Sequence, residues 1–326
     1  MDWSEEQAGS AGLTSAALVS LRAGEGRRGL PRGVRGIFDR ALGLAADARR
    51  VAEDFASMTL GRDFEKRAQY IRDHYARMGD DPFGLDPEFT RLGAMATAFM
   101  HRRYFRTEVH GIENVPRGRA LLIANHSGQI PIDGLILALT LFFDANPPRL
   151  IRAMVEKWMQ TLPFIAPLIA RLGQVVGVPA NCHRLLEREE LILAFPEGVR
   201  GIVKPYTRRY QLEEFGQGFM RLALATRSPI VPVAVIGAEE QYISVGNLEW
   251  AARAIGLPAL PVVPQLLLPG GLLPLPTKYR IHFGEPLKFE GDPADERVVS
   301  EHVWLVRQTI QRLLVHGLER RRSVFF

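Results

Sequence analysis

The sequence predicts an α/β fold in which a mostly parallel or mixed sheet is flanked by helices and preceded by a helical N-terminal segment. Two observations lead to this class. From Val109 onward, short apolar runs that suit buried strands alternate with stretches of helical periodicity. Polar residues follow directly after two of these runs, as they do where parallel strands end at a ligand-binding edge. The chain of 326 residues is long enough for such a core and an accessory segment.

The first part of the chain is predicted to hold a flexible arm and then helices. Residues 1–35 are rich in Gly, Ser, Ala and Arg and show little periodicity, which is typical of a flexible arm. Over residues 36–106, apolar residues such as Ile37, Leu44 and Val51 recur among charged ones, which predicts amphipathic helices. Their apolar faces can dock on the core, lie on a membrane or form a dimer, and the pattern leaves these alternatives open.

Residues 107–326 are expected to form the α/β domain. Uniformly apolar runs predict buried strands, and such runs occupy Ala120–Ala124, Leu191–Phe195 and Ile230–Val235. The helices expected here are Leu135–Phe143, Phe219–Ala225 and the amphipathic C-terminal stretch Glu301–Leu318. We therefore expect the strands to pair in one sheet with helices on its faces.

Composition narrows the classes of function. The net charge of +5 and the pI near 9.5 favour anionic partners, such as acidic lipid headgroups, nucleic acid or a phosphopantetheine carrier. Zinc-ligand spacing and an aromatic RNA-binding signature are both absent from the sequence, so nucleic acid is not expected as a partner. The single cysteine, Cys182, excludes an intramolecular disulfide, and the acidic N-terminus lacks the apolar core of a signal peptide. We expect a cytoplasmic location.

A histidine and an aspartate follow the first predicted strand. His126 comes two residues after Ala124, and Asp133 lies seven positions beyond His126. A histidine whose second ring nitrogen is held by a carboxylate is oriented and more basic, and it can take the proton from a hydroxyl that attacks a carbonyl. His126 is therefore the candidate base and Asp133 the residue that orients it. The sequence around them carries no metal-ligand pattern.

A Glu-Gly-x-Arg segment follows the second predicted strand. It begins at Phe195 and Pro196 and continues to Glu197, Gly198 and Arg200. An arginine fork binds phosphate or carboxylate through two hydrogen bonds, and a nearby glutamate can hold that fork or a substrate hydroxyl. Because both polar segments follow strands of the same predicted sheet, we expect them to face one cleft.

At these two segments the chain resembles the glycerophospholipid acyltransferase family, the lysophosphatidate and glycerol-3-phosphate acyltransferases. The family's hallmarks are an N-H-x4-D block and an F-P-E-G-T-R-S block, and the resemblance extends from about Val109 to Pro286. It implies that His126 is the general base and Asp133 its partner. It also implies that the second segment binds the acceptor through Glu197, Gly198 and Arg200.

The resemblance implies a role for one further block, and the sequence offers two more candidate parts of the site. The family's later V-P-V block matches Val231 and Pro232, which would shape an acyl pocket or simply form a core strand. Backbone amides near Gly128 or Gly198 are candidates for stabilising the oxyanion. The uncharged stretch Ile255–Pro276 has six prolines and three glycines and cannot run as a transmembrane helix. An interfacial loop, a wall of the acyl pocket and a buried connection stay open for it.

Two departures from the family pattern bear on the acceptor. Six residues separate His126 from Asp133 where the family has four, so their contact requires a bulge over residues 127–131. The sequence from Ser127 to Asp133 is more similar to acyltransferases that esterify mono- or diacylglycerol than to the lysophosphatidate enzymes. Val199 and Gly201 stand where the family has Thr and Ser, which removes two hydroxyls that could hold a phosphate.

The resemblance implies an acyltransferase that moves a fatty acyl group to a glycerolipid hydroxyl, either of a lysophospholipid or of mono- or diacylglycerol. The co-substrate is acyl-CoA or acyl carrier protein, and neither a metal nor a bound cofactor is expected. The expected partners are this acyl donor and a membrane lipid surface, contacted peripherally. Two alternatives stay open: a catalytically silent lipid-binding protein of the same fold, and an acyltransferase with a non-glycerol acceptor.

Overall fold

The computed structural model describes residues 59–126, 132–161, 164–248, 250, 252 and 260–326. These residues belong to a single unit, Thr59–Phe326. The predicted arm, residues 1–35, and the first part of the predicted helical segment, residues 36–58, lie outside the described residues. So do Gly128, one of the two positions predicted to stabilise an oxyanion, and the rest of the predicted bulge.

Seven strands of the described chain form one mixed sheet. In chain order the strands are β1 (Glu108–His110), β2 (Ala120–Ala124), β3 (Arg152–Val155), β4 (Val175–Val176), β5 (Leu191–Ala194), β6 (Ile230–Ile236), β7 (Gly246–Asn247), β8 (Pro261–Val262) and β9 (Arg280–Phe283). Strands β7 and β8 pair with each other, and the other seven take the spatial order β1-β9-β6-β2-β5-β3-β4. From β6 to β4 all neighbours are parallel, whereas β9 runs antiparallel to β6 and parallel to β1. The predicted α/β class with a mixed, mostly parallel sheet is confirmed.

Helices flank this sheet. The α-helices of the described residues are α1 (Phe64–Met78), α2 (Pro87–Phe99), α3 (Ile132–Phe143), α4 (Ile165–Arg171), α5 (Pro179–Glu187), α6 (Val199–Ile202), α7 (Gly218–Thr226) and α8 (Glu296–Arg320). Helix α2 begins at a side-chain cap, because Asp86 accepts the N–H groups of Glu88 and Phe89 and Pro87 occupies the first turn. Asp295 caps α8 in the same manner.

The two faces of β2 belong to two different core clusters. Leu122 and Ala124 pack in a cluster with α1 and α3, whereas Leu121 and Ile123 pack in a cluster with α5, α7 and α8. All residues of β2 and β6 are buried. Central strands that are covered on both faces need no polar alternation, which is why these runs are apolar throughout.

The described end of the helical segment packs into the first of these clusters. Phe64 and Ile71 of α1 and Ala94 and Ala98 of α2 are buried in it. Of the three alternatives for the amphipathic helices, the structure shows docking on the α/β core for these buried faces. The predicted division at residue 106 therefore separates helices from strands within one core.

The C-terminal residues are held against the rest of the chain. Helix α8 includes the predicted Glu301–Leu318 stretch and is longer at both ends. After it, Arg321 donates to a carboxylate oxygen of Glu240 at 2.9 Å, and Arg280 donates to the main-chain oxygen of Phe326 at 2.7 Å. Neither α8 nor any other helix in the described residues has the length and apolar character needed to cross a membrane.

Candidate active site

The carboxyl ends of β2 and β5 bring the two polar segments to one edge of the sheet. The strands are parallel neighbours, with Ile123 opposite Ala194. His126 and Glu197 each follow three residues later, so they emerge side by side. The backbone N–H of His126 donates to Oε1 of Glu197 at 2.9 Å. The two segments therefore meet at one edge, as the sequence predicts.

Asp133 holds the ring of His126. Asp133 lies in the first turn of α3, and its Oδ2 is 2.8 Å from Nδ1 of His126. The other carboxylate oxygen accepts the N–H of Gly134 at 2.8 Å, and the Asp133 side chain is fully buried. Because a carboxylate accepts hydrogen bonds, this contact places a proton on Nδ1 and leaves the Nε2 lone pair available as a base. The longer spacing between the two residues still permits their contact.

Phe195 stacks on the imidazole, a role that was not predicted. The centroids of the Phe195 and His126 rings are 4.2 Å apart, and their planes are inclined by 18°. Together with the hydrogen bond that His126 donates to Asp133, this stacking restrains the orientation of the imidazole. The signal was available in the sequence, since Phe195 opens the Phe-Pro-Glu-Gly motif.

Glu197 is bonded to other parts of the chain and does not face open space. Its Oε1 accepts the N–H of His126, and its Oε2 accepts the N–H of Glu213 at 2.8 Å and lies 3.4 Å from Nζ of Lys204. The Glu197 side chain is fully buried. Direct contact with an acceptor would require these bonds to open. In the structure Glu197 anchors the main chain of His126, and acceptor binding by its carboxylate stays a prediction.

Arg200 reaches the surface beside the same motif. Its guanidinium donates to Oε2 of Glu214 at 3.2 Å and to the Glu214 carbonyl at 2.9 Å, and the side chain is about half exposed. The glutamate that holds the arginine fork is thus Glu214, because the carboxylate of Glu197 is directed inward. Gly198 precedes α6 with φ 56°, a left-handed conformation that favours glycine.

Gly201 packs against His126. A Cβ at this position would lie 3.0 Å from both the Cβ and the carbonyl oxygen of His126, and 3.1 Å from the Cβ of Glu197. Real side chains rarely come this close, so the absence of a Cβ lets the two polar segments pack together. This packing accounts for glycine where the family pattern has serine.

An apolar cavity of about 600 Å³ opens beside His126. Known small-molecule sites occupy roughly 300–1,000 Å³, so the cavity has the size of a ligand site. Its walls come from α2, α3, β3 and α6 and are mostly apolar. Among the lining residues are Ala94, Thr97, Leu135, Leu139, Met154 and Ile202. The cavity therefore leads from the candidate base to the region between the sheet and the helical segment.

Val231 and Pro232 do not line this cavity. Both are buried in β6, and the Pro232 carbonyl accepts the N–H of Gly284 at 2.8 Å. Strand β6 is covered on both faces, whereas the cavity lies beside α3, β3 and the end of β5. The structure places these two residues in the core strand of the alternative interpretation, and an acyl-pocket role for them stays a prediction.

The buried ionisable groups at this edge pair with one another. Nζ of Lys204 lies 3.2 Å from Oε1 of Glu239, and Oε2 of Glu239 accepts the N–H of Tyr210 at 3.0 Å. Burial raises the pKa of Glu239 from 4.5 to about 7, although the charge of Lys204 opposes the shift. Within the described ranges, no three His, Cys, Asp or Glu side chains are grouped to hold a metal ion.

The chain is similar to one described protein family and to uncharacterised proteins of mycobacteria. The family described as Acyltransferase matches residues 106–236. An uncharacterised protein of Mycobacterium tuberculosis, strain H37Rv, is 40% identical over 255 residues, which cover 76% of this chain and 71% of that protein. An uncharacterised protein of Mycobacterium leprae is also 40% identical over 255 residues, which cover 70% of its length.

More distant similarity extends to proteins with a named activity. A mouse protein named "DGAT1/2-independent enzyme synthesizing storage lipids" is 26% identical over 199 residues, covering 60% of this chain and 55% of that protein. The crystal structure of the 1-acyl-sn-glycerophosphate (LPA) acyltransferase PlsC from Thermotoga maritima is also similar, with a TM-score of 0.48 and 18% identity. That match covers 84% of this chain and 99% of the other.

Proposed function

Since the chain belongs to the glycerolipid acyltransferase family, in a divergent branch, we propose that it transfers a fatty acyl group from a thioester donor to a glycerolipid hydroxyl. The donor is acyl-CoA or acyl carrier protein. One observation carries the proposal: His126, held by Asp133, borders an apolar cavity of ligand size. A base beside such a cavity suits a reaction between a hydroxyl and an acyl chain.

The proposed reaction moves one proton through His126. Nε2 takes the proton from the acceptor hydroxyl as the hydroxyl oxygen bonds to the thioester carbonyl carbon. The tetrahedral intermediate then collapses, the carbon–sulfur bond breaks, and the leaving thiolate takes the proton from the imidazolium. Asp133 keeps the ring oriented and stabilises the imidazolium while it is charged. Backbone N–H groups near Gly198 are proposed to stabilise the oxyanion.

The cavity is proposed to hold the acyl chain of the donor. Burial of each methylene group contributes about 0.8 kcal/mol, so a mostly apolar wall binds a long chain without specific polar contacts. Leu135 and Leu139 of α3 and Met154 of β3 are among the apolar residues of its wall. An acyl chain bound against them would bring the thioester near His126, which lines the same cavity.

We favour a neutral acceptor, mono- or diacylglycerol, over a lysophospholipid. Arg200 is the candidate for a phosphate contact, but its charge is offset by Glu214. Val199, which replaces the family's threonine, lines the cavity and carries no hydroxyl. The printed name of the mouse relative, an enzyme of storage-lipid synthesis, agrees with a neutral acceptor.

A leucine-rich loop after β8 is proposed to contact a membrane surface. Its most exposed leucines are Leu267 (89%), Leu268 (65%), Leu272 (78%) and Leu273 (67%). These residues belong to the described part of the uncharged stretch, which begins at Leu260. The hydroxyl of Tyr242 donates to the Leu272 carbonyl at 2.7 Å, and Pro261 lines the cavity. Exposed leucines are favourable at a lipid interface, and a loop beside the cavity suits uptake of an acyl chain from a bilayer.

Acyl transfer tests the proposed reaction directly. Radiolabelled long-chain acyl-CoA or acyl carrier protein is offered with lysophosphatidate, monoacylglycerol or diacylglycerol as acceptor. We expect transfer by the wild type and a loss of about 10²–10⁴-fold in His126→Ala, which is the usual contribution of a general base. His316→Ala is the matched control, because it removes an exposed histidine of α8.

The outcomes separate the candidate functions. Transfer that survives His126→Ala would contradict the role of the base. A wild type that binds fatty acid but transfers to none of the acceptors would favour the catalytically silent lipid-binding protein. Transfer to a long-chain alcohol or a sugar lipid alone would favour the non-glycerol acceptor.

Vesicle flotation tests the membrane contact. We expect the wild type to float with phosphatidylcholine–phosphatidylglycerol vesicles and Leu267→Glu/Leu272→Glu to stay in the soluble fraction. Val315→Glu is the control, since Val315 is an exposed apolar residue of α8 (45% exposed). Equal flotation of the double variant and the wild type would exclude this loop as the contact.

A further inference from the structure

Lys204, two residues after α6, is a buried cation beside the candidate active site. Its ammonium nitrogen lies 3.0 Å from the Gln211 carbonyl oxygen, 3.2 Å from Oε1 of Glu239 and 3.4 Å from Oε2 of Glu197. An ammonium group has three N–H donors, and three acceptors surround this one. The position of Lys204 is therefore set by contacts on several sides.

The Lys204 cluster, formed by Lys204, Glu197 and Glu239, joins the ends of three strands. Glu197 follows β5 and accepts the N–H of His126, which follows β2. Glu239 follows β6. Because β6, β2 and β5 are adjacent in the sheet, one ammonium group joins the loops after β5 and β6 and is linked through Glu197 to the loop that carries the candidate base.

We propose that Lys204 is a positioning residue for acyl transfer, because it holds Glu197 and thereby sets where His126 stands relative to the cavity. This inference rests on the proposed function. A shift of the Glu197 carboxylate moves the His126 main chain directly, since the two are hydrogen-bonded. Misplacement of a reacting group by about 1 Å can cost roughly 10²-fold in rate. Lys204 is not among the residues that line the cavity, so its effect falls on the chemical step and not on donor binding.

A purely structural cation would behave differently. Loss of a partner from any buried ion pair destabilises a protein, so a loss of stability alone does not identify a positioning role. The chain offers a matched control in the Arg152 cluster, formed by Arg152, Asp81 and Glu190. Arg152 lies 2.7 Å from Asp81 and 3.3 Å from Glu190, and all three side chains are buried.

The test compares the two cations in one assay. We measure kcat and the KM for acyl-CoA in the wild type, Lys204→Met and Arg152→Met, corrected for the folded fraction. Lys204→Met should lower kcat about 10- to 100-fold and change the donor KM by less than about threefold. Arg152→Met should retain the kcat of the wild type. A Lys204→Met variant with wild-type kcat would overturn the inference.

A double variant serves if Lys204→Met fails to fold. Lys204→Met/Glu239→Gln removes one positive and one negative charge, which restores the charge balance while Glu197 still lacks its ammonium partner. The positioning role predicts that kcat stays at least about tenfold below the wild type. Recovery of the wild-type kcat would show that only the balance of buried charge matters, and would overturn the inference.

An NMR measurement keeps the two proposals apart. The ring signals of His126, assigned with His126→Ala among the eight histidines, report the stacking on Phe195. They should shift in Lys204→Met and stay in place in Arg152→Met. Unchanged signals in both variants would overturn the inference even if the wild type proves inactive. If the wild type is inactive and the His126 signals still shift in Lys204→Met, the result would count against acyl transfer and not against the positioning role.

Discussion

The Lys204 and Arg152 clusters have the same composition and differ in what they connect. Each places one cation between two carboxylates, and in each all three side chains are buried. The Arg152 cluster ties α1 and the residues after it to the sheet, because Glu190 also accepts the Tyr75 hydroxyl at 2.7 Å. The Lys204 cluster is bonded to the candidate base through the N–H of His126.

This difference teaches that burial and ion pairing do not identify a functional cluster by themselves. Both cations sit in low-dielectric surroundings, and both would leave uncompensated carboxylates if removed. What distinguishes Lys204 is its connection to the residue that is placed to move a proton. The comparison therefore predicts that removal of either cation lowers stability, whereas only removal of Lys204 lowers kcat.

The largest effect is expected at Asp133, which bonds to the imidazole itself. Asp133→Asn should lower kcat by roughly 10²–10⁴-fold, because an amide does not fix the Nδ1–H form of His126 or stabilise its charged form. Steady-state acyl transfer measures the loss. The chain contains a second buried histidine beside an aspartate, His101 with Nε2 3.4 Å from Oδ2 of Asp144, so Asp144→Asn is the control. An equal loss in both variants would show that activity follows stability.

The next effect concerns stability in the Arg152 cluster. Arg152→Met should lower the free energy of unfolding by about 3–5 kcal/mol, the usual cost of breaking a buried ion pair from one side. Urea unfolding measures this change, and kcat of the folded variant should stay within about threefold of the wild type. A tenfold fall in kcat at a temperature where the variant is folded would contradict the claim that Arg152 acts on stability alone.

A smaller effect of pH separates the two clusters. Burial raises the pKa of Glu239 to about 7, although the charge of Lys204 opposes this shift. The Glu239 carboxyl therefore binds its proton more tightly in the folded protein than in the unfolded chain. Stability is therefore lost as the pH rises from about 4.5 to about 7. For Asp81, burial is outweighed by the hydrogen bond and charge of Arg152, which lower the pKa below 3.8. The stabilisation that Asp81 gains from Arg152 is present above about pH 3.8 and is lost as the pH falls below this value.

Urea midpoints at about pH 5 and about pH 7.5 measure this difference. Glu239→Gln should remove part of the loss of stability that the wild type shows between these two values. Asp81→Asn should leave the difference between the two midpoints unchanged, since Asp81 is ionised at both. The same pH dependence in Glu239→Gln and the wild type would contradict the assignment.

The smallest effect is expected from two aromatic rings, Phe195 on His126 and Phe83 near Arg152. Phe195→Leu removes a stacking contact worth about 0.5–1.5 kcal/mol, and should lower kcat by about two- to tenfold because the imidazole is less restrained. Phe83 lies beside the other cluster, with the Arg152 guanidinium 5.8 Å from its ring centroid. Phe83→Leu should change the unfolding midpoint and leave kcat in place. Reversed outcomes for the two variants would argue against the separation of the clusters.

Much of the fold and part of the site followed from local sequence patterns. Apolar runs predicted β2, β5 and β6, because strands buried on both faces carry no polar alternation. The placement of polar residues after β2 and β5 predicted that His126 and Glu197 lie at one edge. The contact of His126 with Asp133 was also expected, although residues 127–131 between them lie outside the described ranges.

Other features escaped prediction because they depend on contacts between distant residues. Lys204 follows the apolar residues Ile202 and Val203 in the sequence. Its neighbours give no sign of its contact with Glu239, which lies 35 positions away. The Val-Pro-Val pattern of β6 is equally compatible with a pocket wall and a core strand, and only the structure shows that β6 contributes residues to both core clusters.

The sequence by itself determined the strand runs, the two polar segments and the family to which the chain belongs, since periodicity and motifs are properties of neighbouring residues. Only the tertiary structure decided that α2, α3 and β3 enclose a cavity at His126, that Glu214 holds Arg200, and that Lys204 is buried between two carboxylates. The physical reason is that burial and charge pairing depend on which distant residues meet, and the packing of the helices on the sheet sets those meetings.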